Sequence, residues 1–324
     1  MLLSIIIPVY NAEKYIEKCV NSIITQVHNM EDIELIIIND GSKDLTSKIL
    51  NKLAAHNKII NLYEQENGGE GFTRNRGLEK ARGEFIWFID ADDFIDDGIV
   101  SKLHNIISTK TPDVILFGIK RITEEGLLIA KEVFTSDNLS SSALLEKKVF
   151  SNSVCNKVFR LNSIKENSIY FDEKVKTATD FDFSFRALYF SKKIIVLEDI
   201  PYNYIVNPDS VSNIRSEAHL NKLATHSVIV GKNINSFLNE NPSNISAFKP
   251  WLNNYLFGLL FSLFRFNYKT QFIKNTMKTM EMEGLYTVNS EKMDLKRQVF
   301  MFVANRKPLF ILCCKINRML KVVQ

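Results

Sequence analysis

Asp90, Asp92 and Asp93 stand directly behind the apolar run Phe85–Ile89, and Asp96 and Asp97 follow within the same turn of chain. Carboxylates crowded at the mouth of a buried segment repel one another, so the pattern asks what balances them. An EF-hand loop is excluded, because counting from Asp90 puts Phe94 and Ile95 where an oxygen ligand and the turn glycine belong. A solvated strand-to-helix turn is one reading, since aspartate favours turns and helix starts. A D-x-D clamp is the other. Mg²⁺ and Mn²⁺ take hard oxygen ligands and commonly bind through one or two carboxylates plus substrate phosphates. Alternate residues of a strand share a direction, so a strand end could present Asp90 and Asp92 together.

Such a turn must be positioned by a scaffold, and the first 120 residues have the pattern of one. The runs LSIIIPV, IELIIIN, IINLYE, EFIWFID and DVILFGI read as strands, while AEKYIEKCVNSIITQ and LTSKILNKLAA carry helical periodicity. The βαβα order predicts an α/β domain with a mainly parallel sheet covered by helices. Ligands of such sheets lie outside the carboxyl ends of the strands. Those ends carry Pro8, Val9, Tyr10 and Asn11, then Asn39 to Ser42, Glu66 to Gly69, and Asp90 to Asp93. Polar groups are therefore expected to converge on one edge.

Several function classes lose ground. PVYNAEKY has no glycine, and in GGEGFTRNRG Arg74 takes the place of the third glycine of a dinucleotide fingerprint. A P-loop is absent, as is the glycine-rich, lysine-bearing N-terminal loop of a nucleotidyltransferase. A net charge of +4 does not announce a nucleic-acid binder. Cys19, Cys155, Cys313 and Cys314 have neither metal-site nor disulfide-framework spacing. MLLSIIIPVYN lacks a basic leader and cleavage site and reads as a first strand, and Trp251–Phe264 is too short and too polar to span a bilayer. A cytoplasmic chain is expected, at most peripheral on the inner face of the plasma membrane.

Taken in order, SIIIPVYNAEKYIEKCVNSIITQ, ELIIINDGSKDLT, NGGEGFTRNRGLEKARGEFIWFIDADD, CNKVF and TDFDFSF resemble a family 2 glycosyltransferase of the GT-A fold. The likeness runs over residues 3 to 120 and more weakly to about 215. It implies an inverting, metal-dependent transfer of sugar from a nucleoside-diphosphate donor, UDP above all, to a glycan or lipid-linked acceptor in surface polysaccharide, capsule or lipopolysaccharide synthesis. By the resemblance, Pro8, Val9, Tyr10 and Glu13 border the nucleotide, Asp40 bonds the uracil or ribose, and Asn67 belongs to the same edge. Arg74 and Asn75 face the nucleotide and diphosphate, Asp90 and Ala91 lie by the ribose and donor sugar, and Asp92 ligates Mn²⁺ or Mg²⁺ with Asp93 in support. The general base of the family's E-D-x-x-F pattern falls on Asp180, with Asp182 as fallback, and Lys157 lines the site. Thr179 replaces the glutamate of that pattern and Thr73 an alanine. A non-catalytic nucleotide-sugar-binding protein is the competing reading. No Q-x-x-R-W motif of a processive synthase is present.

Residues 1–215 are expected to form the catalytic domain and 216–324 a helical region. Beyond Glu291 basic residues outnumber acids, and PLFILCCKINRMLKVV interleaves them with apolar ones. That tail either lies on an anionic membrane surface or packs its apolar side on the protein.

Overall fold

The computed structural model describes the 324-residue chain except 28–29, 136, 141–142, 145–150, 208–215, 292 and 323–324. The chain divides into two compact units, Met1–Pro208 and Asp209–Gln324. The boundary expected near 215 falls within 208–215, outside the described residues.

In the first unit, β1 (Leu3–Val9), β2 (Ile33–Asn39), β3 (Ile60–Glu64) and β4 (Phe85–Phe88) form the parallel part of an eight-stranded sheet. Their β-branched and aromatic side chains are buried on both faces of β1, β2 and β4, as a helix-covered sheet requires. The helices between them are α1 (Ile16–Ile24), α2 (Thr46–His56) and α3 (Glu70–Lys80). On α1, Ile16, Cys19, Val20 and Ile23 are buried at the spacing of one helical face. Pro8 is tolerated because β4 pairs with β1 only along Leu3–Ile6, short of the proline.

The sheet continues through β10 (Lys157–Arg160), antiparallel to both neighbours, then β6 (Val114–Leu116), β11 (Ile194–Val196) and β9 (Asp137–Leu139), in the order β3-β2-β1-β4-β10-β6-β11-β9. A second sheet of order β5-β12-β7-β8 joins β5 (Phe94–Ile95), β12 (Tyr202–Ile205), β7 (Ile119–Ile122) and β8 (Leu128–Glu132). The run DVILFGI, expected as one strand, is thus divided between two sheets. Its break is at Gly118, where a Cβ would collide with the carbonyl oxygen of Glu132. Among the described residues the unit also contains the helices α4 (Ile99–Lys110), α5 (Leu161–Glu166) and α6 (Thr179–Phe190).

The second unit is helical: α7 (Glu217–Glu240), α8 (Ile245–Arg265), α9 (Thr270–Met282), α10 (Leu295–Ala304) and α11 (Lys307–Val322). Ser216 caps α7 and Asp294 caps α10 by accepting from the third backbone N–H beyond each. Among the described residues no helix is long and apolar enough to cross a membrane.

Candidate active site

The acidic turn begins where β4 ends. The strand stops at Phe88, so Asp90 and Asp92 meet through a turn closed by Asp93 N–H on the Asp90 carbonyl (3.1 Å), and not through strand alternation. Asp93 turns inward. It is buried, accepts from the Tyr202 hydroxyl at 2.7 Å and the Ile205 N–H at 2.9 Å, and thereby ties the turn to β12. The same hydroxyl accepts from Asp90 N–H at 3.1 Å. Burial, then Asp92 and Asp90, push the Asp93 carboxyl well above the usual range. Ala91 is buried in the turn.

Arg74 lies beneath this edge, on α3, and is 1% exposed. Its Nη1 donates to Asp180 Oδ1 at 2.6 Å, and its Nη2 reaches Asp90 Oδ1 at 2.8 Å and Glu70 Oε1 at 2.7 Å. Burial alone would lower its basicity, but Asp180, Glu70 and Asp90 more than reverse that. The remaining oxygens of the two aspartates also have partners: Val154 N–H donates to Asp180 Oδ2 at 3.3 Å and Cys155 Sγ to Asp90 Oδ2 at 3.3 Å. Burial and the nearby Asp90 push the Cys155 thiol up, which keeps it a donor. One guanidinium thus gathers two carboxylates named from the sequence, 16 and 106 residues from it. Arg74, expected to face the nucleotide and diphosphate side, is buried and braces Asp90 and Asp180.

Asp180 is presented by the first turn of α6, which starts after Ala178 in the left-handed region (φ 63°). The helix is held by Phe183, which stacks on Phe171 at 4.3 Å between centroids and meets Phe88 and Phe159 edge-on. Phe181, Phe185 and Leu188 are likewise core. Asp182, two residues on, points elsewhere: it is buried and paired with Arg186 at 3.0 Å. The structure does not bring this fallback base to the Arg74 cluster.

Asp92 differs from its neighbours. It is half-buried, and no cation among the described residues pairs with it. Burial, aided by Asp90, pushes its carboxyl up to about 6. A half-exposed hard-oxygen donor with unbalanced charge suits Mg²⁺ or Mn²⁺. Among the described residues no group of three or more His, Cys, Asp or Glu is disposed to hold a metal, so phosphate oxygens would have to complete its shell. A carboxyl whose folded value lies above its unfolded one binds its proton more tightly when folded. Its contribution to stability therefore falls as pH rises from about 4 to about 6. In a chelating buffer at pH 7, Asp92→Asn is expected to raise the free energy of unfolding by about 1 to 3 kcal/mol. Urea titration at pH 7 and pH 4 checks this; the gain should close at pH 4.

Other expected residues build the walls. Asp40 is 3% exposed: Oδ1 accepts from Gly68 N–H (2.8 Å) and Gln65 Nε2 (2.7 Å), and Oδ2 from Gly69 N–H (2.9 Å). Both oxygens hold the glycine turn ahead of α3, in which Gly69 has φ 87°, so Asp40, expected to bond the uracil or ribose, also shapes this loop. Asn67 donates to the Asp40 carbonyl at 3.0 Å. Asn75 clamps the backbone of Phe171 with its amide at 2.9 Å in both directions and donates to Glu173 Oε1 at 2.9 Å. Glu13 accepts from Leu45 N–H at 2.8 Å and so stitches the first loop to the second. Tyr10 is exposed beside the half-buried Pro8 and the buried Val9, whose carbonyl accepts from Asp40 N–H at 2.8 Å. Lys157 is fully buried and donates to Ser151 O and Asn156 Oδ1, both at 3.0 Å, and to Ser153 O, which sets the loop carrying Val154 and Cys155. Burial lowers its pKa to about 8. Sequence reasoning missed Glu70, Cys155 and Tyr202. Only Glu70, four residues before Arg74 on a helix, left a local signal.

Residues 4–168 match the family model described as Glycosyl transferase family 2. A poly(ribitol-phosphate) beta-glucosyltransferase of Bacillus spizizenii is 34% identical over 211 residues, 64% of this chain and 33% of the relative. The poly(ribitol-phosphate) beta-N-acetylglucosaminyltransferase TarS of Staphylococcus aureus is 32% identical over 207 residues, 63% of this chain and 35% of the relative. The chain spans about a third of the length of these two relatives. The crystal structure of S. aureus TarS 1-349 in complex with UDP-GlcNAc superposes with a TM-score of 0.63 at 23% identity, over 98% of this chain and 91% of that one. The two share the GT-A fold.

Proposed function

The chain belongs to glycosyl transferase family 2, and from that premise we propose that it transfers a sugar from a nucleoside-diphosphate donor, UDP-linked, to an acceptor hydroxyl with inversion, at the cytoplasmic side of surface-polysaccharide synthesis. The observation that carries the reading is the convergence of Asp90 and Asp180 on the Arg74 guanidinium, with Asp92 half-exposed in the same turn.

The chemistry follows from the parts. A hydroxyl is a weak nucleophile at neutral pH, so a carboxylate must take its proton as the new bond forms. Asp180 is 29% exposed, and Arg74 and Val154 N–H hold its orientation from behind. It accepts the proton of the acceptor hydroxyl. With one base and direct displacement, the anomeric centre inverts, and no second carboxylate nucleophile is needed. Asp92, with Asp90 beside it, would hold a divalent cation. When bound, that cation supplies Lewis-acid stabilisation to the departing diphosphate. The glycine turn braced by Asp40 and the exposed Tyr10 border the nucleotide.

The acceptor is proposed by analogy with relatives whose names specify poly(ribitol-phosphate). A polyol-phosphate polymer is the first to try, and other lipid-linked or capsular glycans follow. The test is a panel of UDP-, GDP- and dTDP-sugars assayed for binding and hydrolysis with and without Mn²⁺. One donor is expected to bind at least about tenfold more tightly with the metal, and Asp92→Ala to abolish that gain. Failure of every donor to bind, with or without metal, would overturn the reading.

A further inference from the structure

The last two helices are apolar on two sides. On α10, Met301 and Ala304 are fully buried against the unit, and on α11 Phe310 and Cys314 are buried in the same way. Packing on the protein therefore accounts for one face of each helix. The opposite faces carry Leu295, Val299 and Phe302 on α10 and Leu312, Ile316 and Met319 on α11, all more than 45% exposed. At 3.6 residues per turn each set forms a single row roughly opposite the buried one. A helix that has already satisfied its inward face gains nothing in water from an apolar outward face.

Charge identifies what covers these rows. Residues 295–322 contain seven Lys and Arg and no Asp or Glu, within a chain of net +4; of the seven, Arg297 pairs with Asp294 at 3.2 Å and Lys307 with Glu281 at 2.8 Å, which leaves the stretch strongly basic. Lys296 and Lys315 are exposed among the apolar residues, and the Arg306 guanidinium stacks on the Phe302 ring at 3.5 Å. A second copy of the chain would set like charge against like, which opposes pairing through this surface. A negatively charged, apolar-cored surface satisfies both halves of the pattern at once.

We propose that the outward faces of α10 and α11 lie on an anionic lipid bilayer, with the leucine, isoleucine, valine, methionine and phenylalanine side chains entering the headgroup boundary and Lys296, Arg306 and Lys315 meeting lipid phosphates. This inference stands on the second unit alone and does not depend on the catalytic reading.

The test is flotation of the full chain with phosphatidylcholine vesicles and with vesicles containing phosphatidylglycerol. The chain should float with the anionic vesicles, fail to float with phosphatidylcholine alone, and be released by high salt. Leu312→Glu with Ile316→Glu should lower vesicle binding at least tenfold. Because both residues are exposed, the thermal melt should be unchanged. Lys296→Gln with Lys315→Gln, which leaves the apolar rows intact, should lower binding by roughly tenfold or more. Absence of binding to anionic vesicles overturns the proposal, as does equal binding of wild type and the Leu312→Glu, Ile316→Glu variant. A monomer–dimer equilibrium abolished by that variant, without vesicle binding, would instead make the rows a protein interface.

Discussion

Asp180→Asn is expected to lower kcat by about 10²- to 10⁴-fold while leaving donor affinity nearly unchanged. Asparagine has the shape of aspartate, and its one amide oxygen can still accept from Arg74; only the longer bond from Val154 N–H loses its acceptor, so the start of α6 should keep its place. What it cannot do is take a proton from the acceptor hydroxyl. Asp182→Asn is the matched control. That residue is buried against Arg186 on another side of the helix, so its replacement should affect stability more than turnover. Steady-state kinetics with the donor found in the panel, together with donor titration by calorimetry, separates the two. If Asp182→Asn abolishes turnover and Asp180→Asn does not, the base has been misassigned.

Arg74→Met should cost about 3 kcal/mol of folding stability and most of the activity. Removing one partner of a buried ion pair leaves the others desolvated and unpaired, typically a loss of about 3 to 5 kcal/mol. Asp90 and Asp180 retain some contact with water, at 27% and 29% exposure, which places this case at the low end of that range. Arg74→Lys should recover only part of the loss, since an ammonium cannot reproduce a planar fork reaching three carboxylates. Urea unfolding midpoints of the three proteins measure the order. An Arg74→Met chain with a wild-type midpoint would mean that the guanidinium does not hold the site together.

The frame of the site was legible because it is made by local rules. Unbroken β-branched runs in β1 and β2 mark strands buried on both faces, and the placement of polar residues at strand ends follows from the parallel topology. Asp180 was legible as a helix-start acid. The same helical period that puts Phe181 and Phe185 in the core puts Asp182 on a different side from Asp180. The burial of Arg74 and Asn75 was not legible. Arginine and asparagine are mostly surface residues, and what draws these two inward lies far along the chain: Asp180 for one and the Phe171 backbone, 96 residues away, for the other. Gly118 was equally opaque, since a break forced by Glu132 belongs to tertiary contact and leaves no mark in the apolar run.

The shared guanidinium also governs how the parts of the site can be told apart. Glu70, Asp90 and Asp180 each hold the same positive charge, so removing one strengthens its hold on the other two. Losses measured for single substitutions will therefore not sum, and a deficit at Asp90 reports in part on how Asp180 is held. The three carboxylates form one energetic unit contributed by segments remote in sequence. An exchange tolerated at one of them depends on which residues occupy the other two.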